Sequence, residues 1–315
     1  MDDLDRILVR RPSPRLAAGE LTHLQRSPVD ADLALAQWLG YVAAFADHSW
    51  AVTEIAPADE HPDGVFVEDT LVMFDDLAVI TLPGVVSRRG EVSSTAASLD
   101  GIGGLTVARI ALPGTLDGGD VLKIGRTAYV GQGSRTNPEG VAELATLIEP
   151  RGWRVVPVPV TKVLHLKSGV TALPDGTVIG HEPLVDDPHL FPTFLPVPEE
   201  HGAAVVDLGD GVVIMSADAP RTADLLRGRG LQVVTVPITE FEKLEGCVTC
   251  LSVRLRRVAG DSVVGVPRQD EDRTGECQIS LLAREPRNTW ASSLTLDEPR
   301  VSSSGESDLF GRLNS

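Results

Sequence analysis

Apolar residues recur at helical spacing over Leu33–Phe45, again over Gly140–Ile148, and more briefly over Arg221–Arg227. Each stretch predicts a helix with one buried face. Each is followed, after a glycine or a small polar residue, by a short run rich in valine. These runs are Val52-Thr53-Glu54-Ile55, Val155-Val156-Pro157-Val158-Pro159-Val160 and Val233-Val234-Thr235-Val236-Pro237-Ile238. β-Branched runs between turn-forming residues predict strands. Val107–Leu112, Ala204–Leu208 and Gly211–Met215 read the same way. Pro174-Asp175-Gly176-Thr177 and Gly209-Asp210-Gly211 are turn signals between apolar runs and predict hairpins.

Helix, strand, polar loop and a further apolar stretch thus form a recurring unit, traceable five times. The first three copies end in Phe66-Val67-Glu68-Asp69, Leu116-Asp117-Gly118-Gly119-Asp120 and His165. Ala204–Met215 reads as a short fourth copy. The helix Arg221–Arg227, the strand Val233–Ile238 and Cys250 make the fifth. The third and fifth copies align with a shift of about 78 residues, roughly two periods of 39, a spacing proper to repeat architectures. The fold class expected is α/β, a five-bladed β/α propeller with pseudo-fivefold repeats. Such a ring brings equivalent loops to a common centre, here Glu68, Asp69, Asp117, Asp120, His165 and Cys250. Beyond Arg257 no period is sustained and polar clusters take over. Residues 1–257 read as the propeller domain, and residues 258–315, with Cys277, as a disordered tail.

The chain has 315 residues, 42% of them hydrophobic, enough for one sizeable core or two modest ones. Its formal charge of −17 disfavours nucleic acid and anionic membranes as partners, and either favours a cationic small molecule or only aids solubility. No apolar run approaches the roughly 20 residues of a transmembrane helix. The start, Met1-Asp2-Asp3-Leu4-Asp5, lacks the regions of a signal peptide. Three cysteines do not make a disulfide framework, so a reducing cytoplasm is the expected location. A homodimer is compatible with the sequence.

Cys250 and His165 follow similar valine runs in two copies of the unit. That would place a thiol and an imidazole at equivalent positions, as a cysteine nucleophile with a histidine proton shuttle requires. A cysteine attacks as its thiolate, so Cys250 needs a nearby cation, either a protonated imidazole or the substrate itself. The alternative is a buried structural cysteine. Period-two alternation puts Cys247 on the opposite face of a strand from Cys250, as a packing residue. Alternation in Leu164-His165-Leu166-Lys167 puts His165 and Lys167 on one face of an extended segment. Glu68 and Asp69 could grip a guanidinium through forked hydrogen bonds, or simply end a strand in solvent. Asp117-Gly118-Gly119-Asp120 is either a turn or a place where backbone approaches a ligand. Arg88 and Arg135 suit a carboxylate; the alternatives are a surface pair for Arg88 with Arg89 and the positioning of a helix start for Arg135. One C-x-x-C without a second ligand pair is no zinc signature, so no metal is expected. Gly118-Gly119 and the Gly101–Gly104 cluster match neither a phosphate-binding loop nor a dinucleotide fingerprint, so no cofactor is expected either. The C-x-x-C pair also lacks the context of a redox motif.

Six segments together resemble the dimethylarginine dimethylaminohydrolase family. They are Phe66–Asp69, Ser87–Glu91, Leu116–Asp120, Ser134–Asn137, Leu164–Ser168 and Val248–Ser252, in the family's order and at its spacing. The resemblance spans about residues 5–256. It implies the five-bladed propeller of the pentein superfamily of guanidine-modifying enzymes. It implies Cys250 as nucleophile, His165 as general acid and base, and Asp117 as a carboxylate beside the histidine. Asp63, Glu68 and Asp69 would hold the guanidinium, Arg88 and Arg135 the amino-acid end. Leu21 and the backbone of Leu244 would make further substrate contacts. The implied reaction converts an N-omega-methylated arginine to citrulline and a methylamine through a thiouronium on Cys250. Two rivals are arginine deiminase, whose helical insertion is not seen between Leu21 and Cys250, and a non-catalytic binder of cationic amino acids.

Overall fold

The computed structural model describes residues 5–256; the tail expected over 258–315 lies outside the described residues. β1 (Arg6–Val9) and β2 (Ala51–Glu54) pair in parallel. β3 (Leu71–Phe74) and β4 (Leu77–Ile80) form an antiparallel hairpin, and β5 (Thr106–Arg109) returns parallel to β4. The same hairpin and return are made by β6 (Val121–Ile124), β7 (Thr127–Gln132) and β8 (Arg154–Pro159). They recur in β9 (Val170–Ala172), β10 (Val178–Gly180) and β11 (Phe194–Pro196). The last set is β12 (Val205–Gly209), β13 (Val212–Ser216) and β14 (Gln232–Val236). β15 (Val253–Leu255) then pairs antiparallel with β1 and completes the first sheet. Five three-stranded sheets of like topology result.

Local chemistry accounts for these elements. The Gly209-Asp210-Gly211 turn has φ of 98°, 51° and 77°, left-handed throughout, a conformation glycine and aspartate tolerate. β8 carries Pro157 and Pro159 because it is an edge strand, where missing N–H donors cost nothing to a ladder. Helix Ala31–Ala46 is capped by Asp30, which accepts from the backbone N–H of Asp32 and Leu33. It buries Ala34, Trp38, Tyr41 and Phe45, one stripe at helical spacing, in a cluster that also holds Cys250. The Tyr41 hydroxyl donates to the Val248 carbonyl at 2.7 Å, which ties this helix to the turn carrying Cys250. No helix among the described residues is long and apolar enough to cross a membrane.

The unit boundaries differ from the expected ones. Ala204–Met215 and the strand expected at Val233–Ile238 belong to one sheet, not to a fourth and a fifth copy. The fourth sheet is built from β9, β10 and β11. Its return strand, Phe194-Leu195-Pro196, is too short to leave a periodic signal. Single turns at Glu182–Leu184 and Pro188–Leu190 stand where the other units have longer crossovers. The number of units is as expected, and the place of the candidate residues is sharper than expected. A single tight turn precedes the first strand of each hairpin. Val67–Thr70 holds Glu68 and Asp69, Gly118–Asp120 follows Asp117, Leu166–Gly169 follows His165, and Glu200–Ala203 leads to β12. The turn with Cys250 leads to β15 in the same way.

Candidate active site

The Leu-His-Leu-Lys segment is not extended, as its alternation suggested. Leu166–Gly169 makes one helical turn, with His165 in extended conformation at its start. The turn forms because Ser168 N–H donates to the His165 carbonyl at 3.0 Å, and Leu166 N–H donates to Asp120 Oδ1 at 2.9 Å. His165 and Lys167 therefore part. Lys167 reaches Glu68 Oε1. His165 is buried, with Nε2 2.9 Å from Asp117 Oδ2 and Nδ1 3.6 Å from Asp69 Oδ1. Burial opposes the imidazolium, but Asp69, the hydrogen bond to Asp117, and Asp120 outweigh it and raise the His165 pKa to about 9. Gly119 is required here, because a Cβ on it would lie 2.7 Å from both His165 Nδ1 and Asp69 Oδ1.

The carboxylates are themselves fixed. Asp117 accepts from Gly84 N–H at 2.9 Å. Asp69 accepts from Arg88 Nη1 at 2.6 Å and from Gly119 N–H at 2.9 Å. Burial works against the Asp69 anion, yet His165 and Arg88 hold its pKa at about 2. Asp120 accepts from Thr136 Oγ1 at 2.6 Å, and burial lifts its pKa to about 6. Asp69, Asp117 and His165 each offer one atom within 4.8 Å of the others, a spacing a metal ion could use. Their lone pairs and protons are already matched to one another and to Arg88, Gly84 and Gly119.

Cys250 is buried, and Cys247 is partly so. The two do not sit on opposite faces. The segment turns, with Cys250 N–H donating to the Cys247 carbonyl at 3.1 Å, so the sulfurs lie 3.4 Å apart. Period-two reasoning fails because this is a turn and not a strand. Cys247 N–H also points at Cys250 Sγ, at 3.4 Å. The hydrogen bond with Cys247, then burial, then the Glu68 and Asp69 carboxylates push the Cys250 thiol well above the ordinary thiol pKa.

Cys250 and His165 open into one recess, together with Asp63, Asp69, Arg88, Arg135 and Leu244. Leu21 does not line it; Leu21 packs against the cluster around Cys250, and its neighbour Glu20 reaches the recess instead. Glu68 does not line it either. Its carboxylate is held by Lys167 and by Thr249 Oγ1 at 2.8 Å, and it faces a separate cavity. Asp63 accepts from Glu20 N–H, and burial raises its pKa. Arg88 is fully engaged, with Asp69, with Glu91 through two bonds, and with the carbonyls of Asp63 and Phe66. Arg135 is buried, and its Nη1 has no partner. Residues Thr22–Leu24 cross nearby, their backbone N–H groups pinned by the Glu245 carboxylate.

Four contributors escaped the sequence reading. Glu91 braces Arg88, Thr136 and Thr249 bond site carboxylates, and Cys247 touches Cys250. Thr136 and Thr249 reach partners 16 and 181 residues away, whereas Glu91 and Cys247 meet partners three residues away across turns that period-two reasoning does not show. Glu91, Thr136 and Thr249 do lie inside recognised segments.

Five like sheets, with a thiol and a clamped imidazole at equivalent turns, define an α/β enzyme of the pentein superfamily. The chain belongs to the dimethylarginine dimethylaminohydrolase family. It is 60% identical over 251 residues to the N(G),N(G)-dimethylarginine dimethylaminohydrolase of Streptomyces coelicolor, covering 80% of this chain and 97% of that one. The solved enzyme of Pseudomonas aeruginosa, a cysteine-to-serine variant complexed with citrulline, superposes with a TM-score of 0.74. It is 32% identical and covers 80% of this chain and 99% of its own. A histidine-to-glycine variant of a dimethylarginine dimethylaminohydrolase, solved as an adduct with S-methyl-L-thiocitrulline, matches with the same TM-score and identity. No family model matches the chain.

Proposed function

We propose that this enzyme hydrolyses dimethylarginine to citrulline and dimethylamine, with Cys250 as nucleophile and His165 as general acid and base. The observation that carries this reading is the recess itself. A buried thiol and a buried imidazole, the latter held by Asp117 and Asp69, face one space walled by carboxylates and arginines. Relatives solved with citrulline and with a thiocitrulline adduct support the same substrate class.

The chemistry follows from the charges. Arg135 offers an unpartnered guanidinium N–H to the substrate's α-carboxylate. Arg88 joins it by exchanging its bonds to the Asp63 and Phe66 carbonyls. The substrate guanidinium lies toward Asp63 and Asp69, with Glu68 adding negative potential from beyond Thr249. Its positive charge offsets the carboxylates that suppress the Cys250 thiolate, and the thiol proton passes to solvent. The sulfur attacks the central carbon, forming an S–C bond as a C=N electron pair moves to nitrogen. Imidazolium His165 protonates the dimethylamino nitrogen, and that C–N bond breaks. A thiouronium remains on Cys250. Neutral His165 then takes a proton from the attacking water, the S–C bond breaks, and citrulline leaves.

The five sheets read as five blades of a closed ring. Two features support this: β15 completes the sheet begun by β1, and the five tight turns hold equivalent positions. Residues 1–257 then form the whole catalytic domain, and a chain ending at residue 257 should melt and turn over as the full chain does. The functional test is turnover of asymmetric dimethylarginine against arginine. Equimolar citrulline and dimethylamine, with arginine far slower, are expected. Faster turnover of arginine would make the enzyme a deiminase, and binding without turnover of either would make it a binding protein.

A further inference from the structure

A cavity of about 280 Å³ shares no lining residue with the recess. Four cations line it, Lys123, Lys167, Arg254 and Arg256, against two carboxylates, Glu68 and Asp75. Both carboxylates are already matched. Glu68 holds Lys167, and Asp75 holds Arg126, which lies outside the cavity lining. Arg256 is paired with Asp207 at 2.9 Å. Two cations are left over. Lys123 donates to the Met73 carbonyl at 2.6 Å, and Arg254 Nη1 donates to the Asp207 carbonyl at 2.9 Å. Neither has a carboxylate within 4.0 Å among the described residues. Lys123, whose pKa burial and the neighbouring Arg254 and Lys167 lower to about 7, and a guanidinium with four further N–H donors thus face one space without counter-ions.

Here two such groups share one space, in a chain of formal charge −17. Like charges brought together repel, and partly apolar walls strengthen that repulsion. An anion removes it and gains charge-assisted hydrogen bonds, forked in the case of the guanidinium. The volume is several times the roughly 30 Å³ share of a water molecule, so an oxyanion with part of its hydration shell has room. We propose that this cavity binds a small oxyanion of the phosphate or carboxylate class, with Lys123 and Arg254 as its counter-charges.

The test is calorimetric titration of the full-length protein with inorganic phosphate and, in a second arm, succinate, at ionic strength held constant with chloride. One saturable site per chain is expected in at least one arm, and the stronger arm names the class. Lys123→Gln, which keeps a donor for the Met73 carbonyl, should keep the melting temperature and weaken binding about tenfold or more. Arg254→Gln should do the same, whereas Arg135→Ala, in the recess, should leave this binding unchanged. Absence of a saturable site in both arms overturns the proposal. So does binding that survives both cavity variants, or binding lost with Arg135→Ala, which would put the anion in the recess.

Discussion

Around Cys250, carboxylates outnumber arginines: Glu20, Asp63, Asp69 and Glu245 face Arg88 and Arg135. In the cavity lined by Lys123 the balance is reversed. Adjacent residues serve the two spaces, Asp69 the recess and Glu68 the cavity. In the recess Asp69 pairs with Arg88 and lies beside His165, Asp63 and Glu245 are held by backbone N–H groups, Glu20 holds the Ser87 hydroxyl, and Arg135 bonds only the Thr22 hydroxyl among the described residues. In the cavity Lys123 and Arg254 bond only carbonyls among those residues. Local charge in this protein is therefore set by pairing across the fold, and a net charge of −17 describes neither space.

If the recess is the seat of chemistry, Cys250→Ser should lower turnover by roughly four orders of magnitude while substrate still binds, because an alcohol is a far weaker nucleophile at neutral pH. Mass spectrometry of the wild type should find the adduct on Cys250. An adduct confined to Cys247, with Cys250→Ser active, would transfer the role to the neighbouring thiol. His165→Gly should cost about 10²–10⁴-fold with dimethylarginine. The loss should shrink with S-methyl-L-thiocitrulline, whose thiolate leaves without a proton. Equal losses on both substrates would remove His165 from general acid catalysis.

The pairing within the recess can be weighed by pH. The folded His165 pKa, about 9, lies above its ordinary value of 6.5. The stability this contributes is complete below about pH 6.5 and is lost as pH rises through about 9, roughly 3 kcal/mol in all. Denaturant midpoints between about pH 6 and pH 10 should show that fall in the wild type, and Asp117→Asn should flatten it. An unchanged slope in Asp117→Asn would mean that the Asp117 bond does not hold the charge. The smallest effect is expected at Arg135→Lys, which replaces a fork by a point charge and should raise KM about tenfold with kcat nearly kept. A change confined to kcat would detach Arg135 from ground-state recognition.

Much of the fold was legible because its signals are local. Helices announced themselves by apolar spacing, and strands by valine runs bounded by glycine and proline. The fourth and fifth units were misdivided, because the short Phe194-Leu195-Pro196 strand of the fourth sheet left no signal. The segments carrying His165 and Cys250 could be recognised together, since their order along the chain is itself a pattern. Within those segments, period-two reasoning failed at Leu166–Gly169 and at Cys247–Cys250. Each forms a tight turn, and the turn after His165 is held by Asp120, 46 residues away in sequence.

The sequence by itself determined the repeating α/β architecture and the family, through local periodicities and through the order of short segments along the chain. Only the tertiary structure decided how the charges are paired. It placed Arg88 on Asp69 and Glu91, left Arg135 with a free donor, turned Glu68 toward Lys167 and set Cys247 beside Cys250. The physical reason is range. Helix and strand preferences act over a few residues, whereas a buried charge is governed by whichever groups the packed sheets bring within a few ångströms, however far apart they lie in the sequence.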